Sequence, residues 1–196
     1  MAVIEVAVNE ESLVSTYTEP GDVVPGAWIY GAADDYSNRK INATATTETY
    51  VFVSFSAKAY TDAQNKTEIK FKSDAGEGLA NTSILNFAID TTSEVFKNGE
   101  TSVKWAAVDT LTDVYYITVP AQANAETAKE LTFKFKVQVK EEVYSHHGET
   151  TDNFNTTADT MGATIEVTLA VSAIQTFGQG SKTLAEMYTA STAHAA

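Results

Sequence analysis

The sequence predicts an all-β protein: an antiparallel β-sandwich with long loops and one short C-terminal helix. Apolar residues recur with a period of two, the strand signature. Thr, Val, Tyr and Phe, which suit pleated surfaces, are abundant, and Pro-, Gly-, Asn- and Asp-rich punctuation separates the apolar runs. Ala2, Ile4, Val6 and Val8 alternate with Val3, Glu5, Ala7 and Asn9 to make a first strand with one apolar side. Pro20-Gly21-Asp22 and Pro25-Gly26 are turn signals. From Tyr50 to Ala59 both sides carry bulk, with Val51, Val53 and Phe55 opposing Tyr50 and Phe52, as expected for a strand deep in a sandwich.

Shorter strands are expected over Glu68–Lys72, Ile84–Asp90, Ser102–Val108 and Val114–Val119, with turns at Asp74–Gly78 and Lys97-Asn98-Gly99. Ala121–Lys129 follows Pro120 and reads either as a helical stretch or as a polar loop. Leu131–Val139 alternates most cleanly: Phe133, Phe135, Val137 and Val139 face one way, Thr132, Lys134, Lys136 and Gln138 the other. That predicts a strand with one wet face. Ile165–Ala173 repeats the pattern, and Gly178-Gln179-Gly180 marks a turn. Thr183-Leu184-Ala185-Glu186 matches a capping box, with Leu184, Met187 and Tyr188 on neighbouring helical positions. The last residues, 190–196, are small and read as a flexible tail. There is no fixed-period repeat and no shift of composition, so residues 1–196 are read as a single domain.

Charge and cysteine content narrow the function classes. The 196 residues include 13 Lys plus Arg against 26 Asp plus Glu, a formal net charge of −13, and no Cys. Phosphate affinity comes from Lys and Arg releasing counterions, and Arg39 is the sole arginine, so nucleic acid is not an expected partner. No apolar stretch approaches the roughly 20 residues of a spanning helix, so membrane insertion is not expected either. Absent cysteines remove thiol nucleophiles, Cys-ligated metals and disulfides. Glu5, Glu10 and Glu11 interrupt the only apolar run near the start, so no cleavable signal is read there. The chain is then either cytosolic or a mature form carrying an added Met1.

Chemistry-bearing motifs are sparse, and no catalytic residue and no cofactor is expected. His146 and His147 with Glu149 and Asp152 form the one cluster of metal-ligand types. Adjacent strand residues point to opposite faces, so both imidazoles reach one ion only from a loop. The His-Glu-x-x-His helix is absent, which favours a solvated polar loop. Asp34-Asp35 with Ser37 and Asn38, and Asp152-Asn153 with Asn155, offer oxygen ligands for Ca²⁺ without the spacing of an EF-hand loop. Asn42, Asn65, Asn81 and Asn155 begin Asn-x-Ser/Thr triplets. Trp28, Tyr30 and Tyr36 cluster after the Pro-Gly turns, and Tyr115 and Tyr116 are adjacent; packing is the bland reading and a sugar or partner platform the alternative.

Several separated segments resemble the TasA/camelysin-like family. Pro20-Gly21-Asp22 followed by Tyr50-Val51-Phe52-Val53-Ser54-Phe55 resembles the entry to these domains, and Ile165 to Gln175, closing on Ala173-Ile174-Gln175, resembles their last strand. Leu184 to Tyr188 fits the short helix that follows. The resemblance implies an exported protein with a jelly-roll-like sandwich, secreted to the extracellular matrix of a biofilm or to the cell surface. It implies self-assembly into a homopolymeric fibre by donation of an N-terminal strand, with other matrix proteins as further partners. Val3, Ile4, Val6 and Val8 are the candidate assembly strand. Family precursors carry a further segment before this strand, so Ala2 to Asn9 also reads as the domain's own first strand. The peptidase activity described for camelysin is not carried over, because no zinc motif accompanies the resemblance. Other readings are a virion structural protein (tail-tube or decoration subunit), a metal-dependent peptidase using His146, His147 and Glu149, and a carbohydrate-binding sandwich.

Overall fold

A computed structural model describes residues 4–8, 14–18, 28–60, 71–72, 78–79, 85–122, 129–139 and 164–193. Two antiparallel sheets form the sandwich. The first contains β1 (Ile4–Val8), β3 (Trp28–Tyr30), β4 (Ser37–Ala45), β8 (Leu85–Ile89) and β13 (Lys129–Val139). In it β4 lies between β1 and β13, and β13 carries β4 and then β3 along one edge and β8 along the other. The second sheet has the order β11 (Ala106–Ala107), β12 (Val114–Val119), β5 (Thr49–Tyr60), β14 (Thr164–Gln175), β2 (Val14–Thr18). Smaller ladders join β6 (Phe71–Lys72) to β7 (Gly78–Leu79) and β9 (Phe96–Asn98) to β10 (Thr101–Val103). From β2 onward the chain alternates between the two main sheets: β2, then β3 and β4, β5, β8, β12, β13, β14. This alternation interlocks the two sheets into one antiparallel β-sandwich.

The core follows from period two. In β13, Leu131, Phe133, Phe135 and Val137 are buried while the residues between them keep one side wet, as the alternation predicts. They meet Val51 and Val53 of β5, Ile117 and Val119 of β12, and Leu169 of β14 across the sandwich. Trp105 closes this core from between β10 and β11, edge-on to Phe133 at 5.5 Å, and its indole N–H donates to the Thr132 carbonyl at 2.9 Å. A buried indole needs such an acceptor. The expected strand over Ser102–Val108 is broken at this ring into β10 and β11.

The outer face of the second sheet is apolar as well, which explains the bulk on both sides of β5. Phe52, Val108 and Val114 are buried there beneath α1 (Leu184–Ala193). Thr183 caps the helix: the Glu186 N–H donates to its hydroxyl at 3.2 Å, and its own hydroxyl donates to the Glu186 carboxylate at 3.2 Å. Leu184, Met187, Tyr188 and Ser191 follow the i, i+3, i+4, i+7 pattern and look at the sheet. The Tyr188 ring meets Phe52 at 5.5 Å, and the buried Ser191 and Ser172 hydroxyls are 2.7 Å apart. The expected flexible tail at 190–196 is therefore corrected in part: helix continues to Ala193 because Ser191 is anchored on β14.

Truncating Phe52→Ala should cost about 3–5 kcal/mol, because it opens a cavity under α1. Removing the cap with Thr183→Ala should cost about 1 kcal/mol. Urea unfolding followed by Tyr and Trp fluorescence measures both.

Candidate functional site

Among the described residues the candidate assembly strand stands at a sheet edge. β1 pairs antiparallel with β4, placing Ile4, Val6 and Val8 opposite Ala45, Ala43 and Ile41, all three of them buried. β1 also comes close to β14 of the other sheet, so it lies along the side where the two sheets meet. β13 takes the opposite edge of β4, from Ser37 to Ala43. β4 escaped notice in the sequence because its core-facing positions are two alanines and one isoleucine among polar residues. Val3 lies outside the described residues.

The Trp28, Tyr30, Tyr36 cluster is organised by a lysine. Tyr30 opposes Val137 and Ser37 opposes Phe135, so residues 31–36 are a six-residue insertion facing Lys136 alone. The Lys136 ammonium donates to the Ala33 carbonyl at 2.6 Å and sits 5.5 Å from the Trp28 ring centre and 4.8 Å from that of Tyr36. Such cation–π contacts contribute about 0.5–1 kcal/mol each at half-exposed sites. Gly31 permits the wrap: its φ is +75°, and a Cβ there would meet the Asp35 carbonyl at 2.7 Å and the Lys136 Cβ at 2.9 Å. Tyr30 turns instead to Phe135, at 5.5 Å. The aromatic faces that suggested a ligand platform thus hold the protein's own ammonium and core. Tyr115 and Tyr116 separate: Tyr115 packs with Phe87 in the sandwich, and Tyr116 lies by Tyr50 and Phe52 on the helix-covered face. Burial pushes the Tyr115 hydroxyl pKa up, and the charges of Asp113 and Tyr36 add to that.

Asp90 ends β8 in a tight turn. Its Oδ1 accepts from the Thr92 N–H and hydroxyl, both at 2.9 Å, and from the Ser93 N–H at 3.1 Å. Burial alone would raise the carboxyl, but these donors, the Ser93 hydroxyl among them, outweigh it and hold the group well below the usual carboxylate range. Asp90 lines a small pocket with Glu94, Trp105 and Lys134; the Ser102 hydroxyl donates to the Glu94 carboxylate. A carboxylate this acidic, with its oxygen committed to the turn, is a poor general base at neutral pH.

His146, His147 and Glu149, with Asp152, Asn153 and Asn155, lie outside the described residues. Among the described residues no three His, Asp or Glu side chains gather to hold a metal. Asp34 and Asp35 are exposed on the insertion, whose Ala33 carbonyl faces Lys136. Of the Asn-x-Ser/Thr triplets, Asn42 is exposed on β4, and Asn65, Asn81 and Asn155 are outside the described residues. Among the described residues no helix is long and apolar enough to cross a membrane. No family model, curated protein or solved structure matches the chain. The sequence marks Lys136 only as a wet-face residue and Asp90 only as a strand end, though Asp-Thr-Thr-Ser after an apolar run is a readable signal of an Asx turn.

Asp90→Ala should cost about 0.5–1.5 kcal/mol at pH 7 by removing the acceptor that closes this exposed turn. Because the folded carboxyl is more acidic than the unfolded one, its contribution is full above the unfolded value near 4 and is lost as pH falls through the lower folded value. Urea midpoints of wild type and Asp90→Ala should therefore converge between pH 5 and the acid limit; a constant gap would contradict this.

Proposed function

We propose that the chain is a structural subunit of a secreted extracellular-matrix or surface fibre, assembling head to tail by β-strand donation and carrying out no catalysis. The observation that supports this reading is the place of β1: a five-residue strand that, among the described residues, stands at a sheet edge, laddered to β4. An identical strand from a neighbouring copy would make the same backbone bonds to β4 in the same register. Exchange of this kind is β-augmentation, where main-chain pairing supplies affinity and side-chain pockets supply register. The resemblance to TasA/camelysin-like domains points the same way and adds the export and the matrix setting. With no cysteine to link subunits, cohesion rests on backbone pairing and apolar burial.

A synthetic peptide of residues 2–13, added in excess, should cap growing filaments seen by electron microscopy; filaments indifferent to the peptide would rule out donation of this strand. Subunits of net charge −13 repel at low salt, so acidification or millimolar Ca²⁺ should speed assembly in light scattering. Assembly kinetics unchanged by either would remove the electrostatic control.

A further inference from the structure

Helix α1 is bound to the fold more by its face than by its own stability. Its ten residues fall below the roughly 12–15 at which an isolated helix begins to hold in water. Three of its hydroxyls bond back to carbonyls of the preceding turn: Thr189 to Ala185 at 3.1 Å, Ser191 to Tyr188 at 2.6 Å and Thr192 to Thr189 at 2.8 Å. Such back-bonding weakens helices. The segment is helical because Leu184, Met187 and Tyr188 sit on Phe52, Val114 and Tyr116.

The connection from β14 to α1 has the properties of a hinge. The strand end is fixed, since Thr176 donates its N–H to the Glu48 carbonyl and its hydroxyl to the Glu48 carboxylate, both at 2.9 Å. Beyond Thr176 the bonds are local: Gln179 to the Gln175 carbonyl at 2.9 Å, and the Lys182 N–H to the Gln179 carbonyl at 3.3 Å. A Cβ at Gly180 would meet nothing within 4 Å, so the loop stands clear of the sandwich. At its start Phe177 is 80% exposed, against 37% for Leu111, the other large apolar residue that is exposed among the described residues.

We propose that α1 is exchanged between two copies of this chain, each helix seating on the outer face of the other copy's β5–β14 sheet. Exchange reuses every helix–sheet contact and changes only the hinge, the low-cost route to a two-fold dimer. In such a dimer the two 176–183 segments cross beside the symmetry axis. Phe177 then meets its symmetry mate and gains the cover it lacks in a single copy. This contact is separate from the β1 edge and does not depend on fibre formation.

The absence of cysteine gives a clean test. Ser172→Cys and Ser191→Cys are made as separate single variants, unfolded together, refolded and oxidised. Because each chain carries one thiol, a bond between positions 172 and 191 forms only if helices have exchanged. A covalent dimer on non-reducing electrophoresis, its yield rising with protein concentration and its 172–191 linkage confirmed by peptide mass, is the expected result. Monomer alone from the mixture overturns the proposal, provided that the double variant oxidises within one chain and so shows the pair to be in reach. Should the double variant fail to oxidise, light scattering on wild type refolded at rising concentration decides. A dimer is expected, with its association constant lowered about tenfold by Phe177→Ser. A wild type monomeric at every concentration, or a dimer indifferent to Phe177→Ser, overturns it.

Discussion

Everything in this molecule is hung on the ladder between β5 and β14. The two strands pair over twelve positions, from Thr49 opposite Gln175 to Tyr60 opposite Thr164. Their inward residues, Val51, Val53 and Leu169, form one wall of the sandwich core, and their outward residues, Phe52 and Ser172, form the floor on which α1 rests. β12 and β2 are then added to either side. Where β5 is buried on both faces, at Val51, Phe52 and Val53, a slip by one residue would exchange the sandwich core for the helix seat. That double demand explains why the Tyr50–Phe55 run has no polar alternation.

The remaining parts differ in how firmly they are tied to this spine. The wet face of β13 needs only polarity, and Lys134 and Lys136 stand on it. The insertion at 31–36 needs more, because a loop that leaves a strand and returns to it must find acceptors and a centre. Lys136 provides the centre, and Gly31 the room. At the other extreme β1 and α1, from the two ends of the chain, each hold to the body along one side.

How much of this was readable beforehand depends on whether a signal is local. The clean alternations at 114–119, 131–139 and 165–173 became β12, β13 and β14 with small changes at their ends, and the capping box at Thr183 began a helix as its hydrogen bonds require. β4 was not legible, since Ala43 and Ala45 count as core only once β1 and β13 are known to lie on either side of the strand. The break at Trp105 was hidden for the same reason: a tryptophan continues an apolar run on paper, but its N–H had to find the Thr132 carbonyl 27 residues away. Of the functional candidates, the alternating residues of β1 are placed at an edge, while the histidine cluster falls outside the described residues. Sequence marks which side of a strand is apolar, but which strand stands at the rim is decided by partners far along the chain.

The alternation of the chain between sheets has a consequence for how the protein is made. β14 lies between β5 and β2, so the second sheet cannot close until residue 175 has left the ribosome, and residues 14–18 must wait for a neighbour some 150 positions later. Contacts so distant in sequence make folding slow, because the entropy of closing large loops is spent before the contacts return it. A growing chain of this topology stays open along most of its synthesis. Lateness of this kind is written into the strand order without any dedicated sequence.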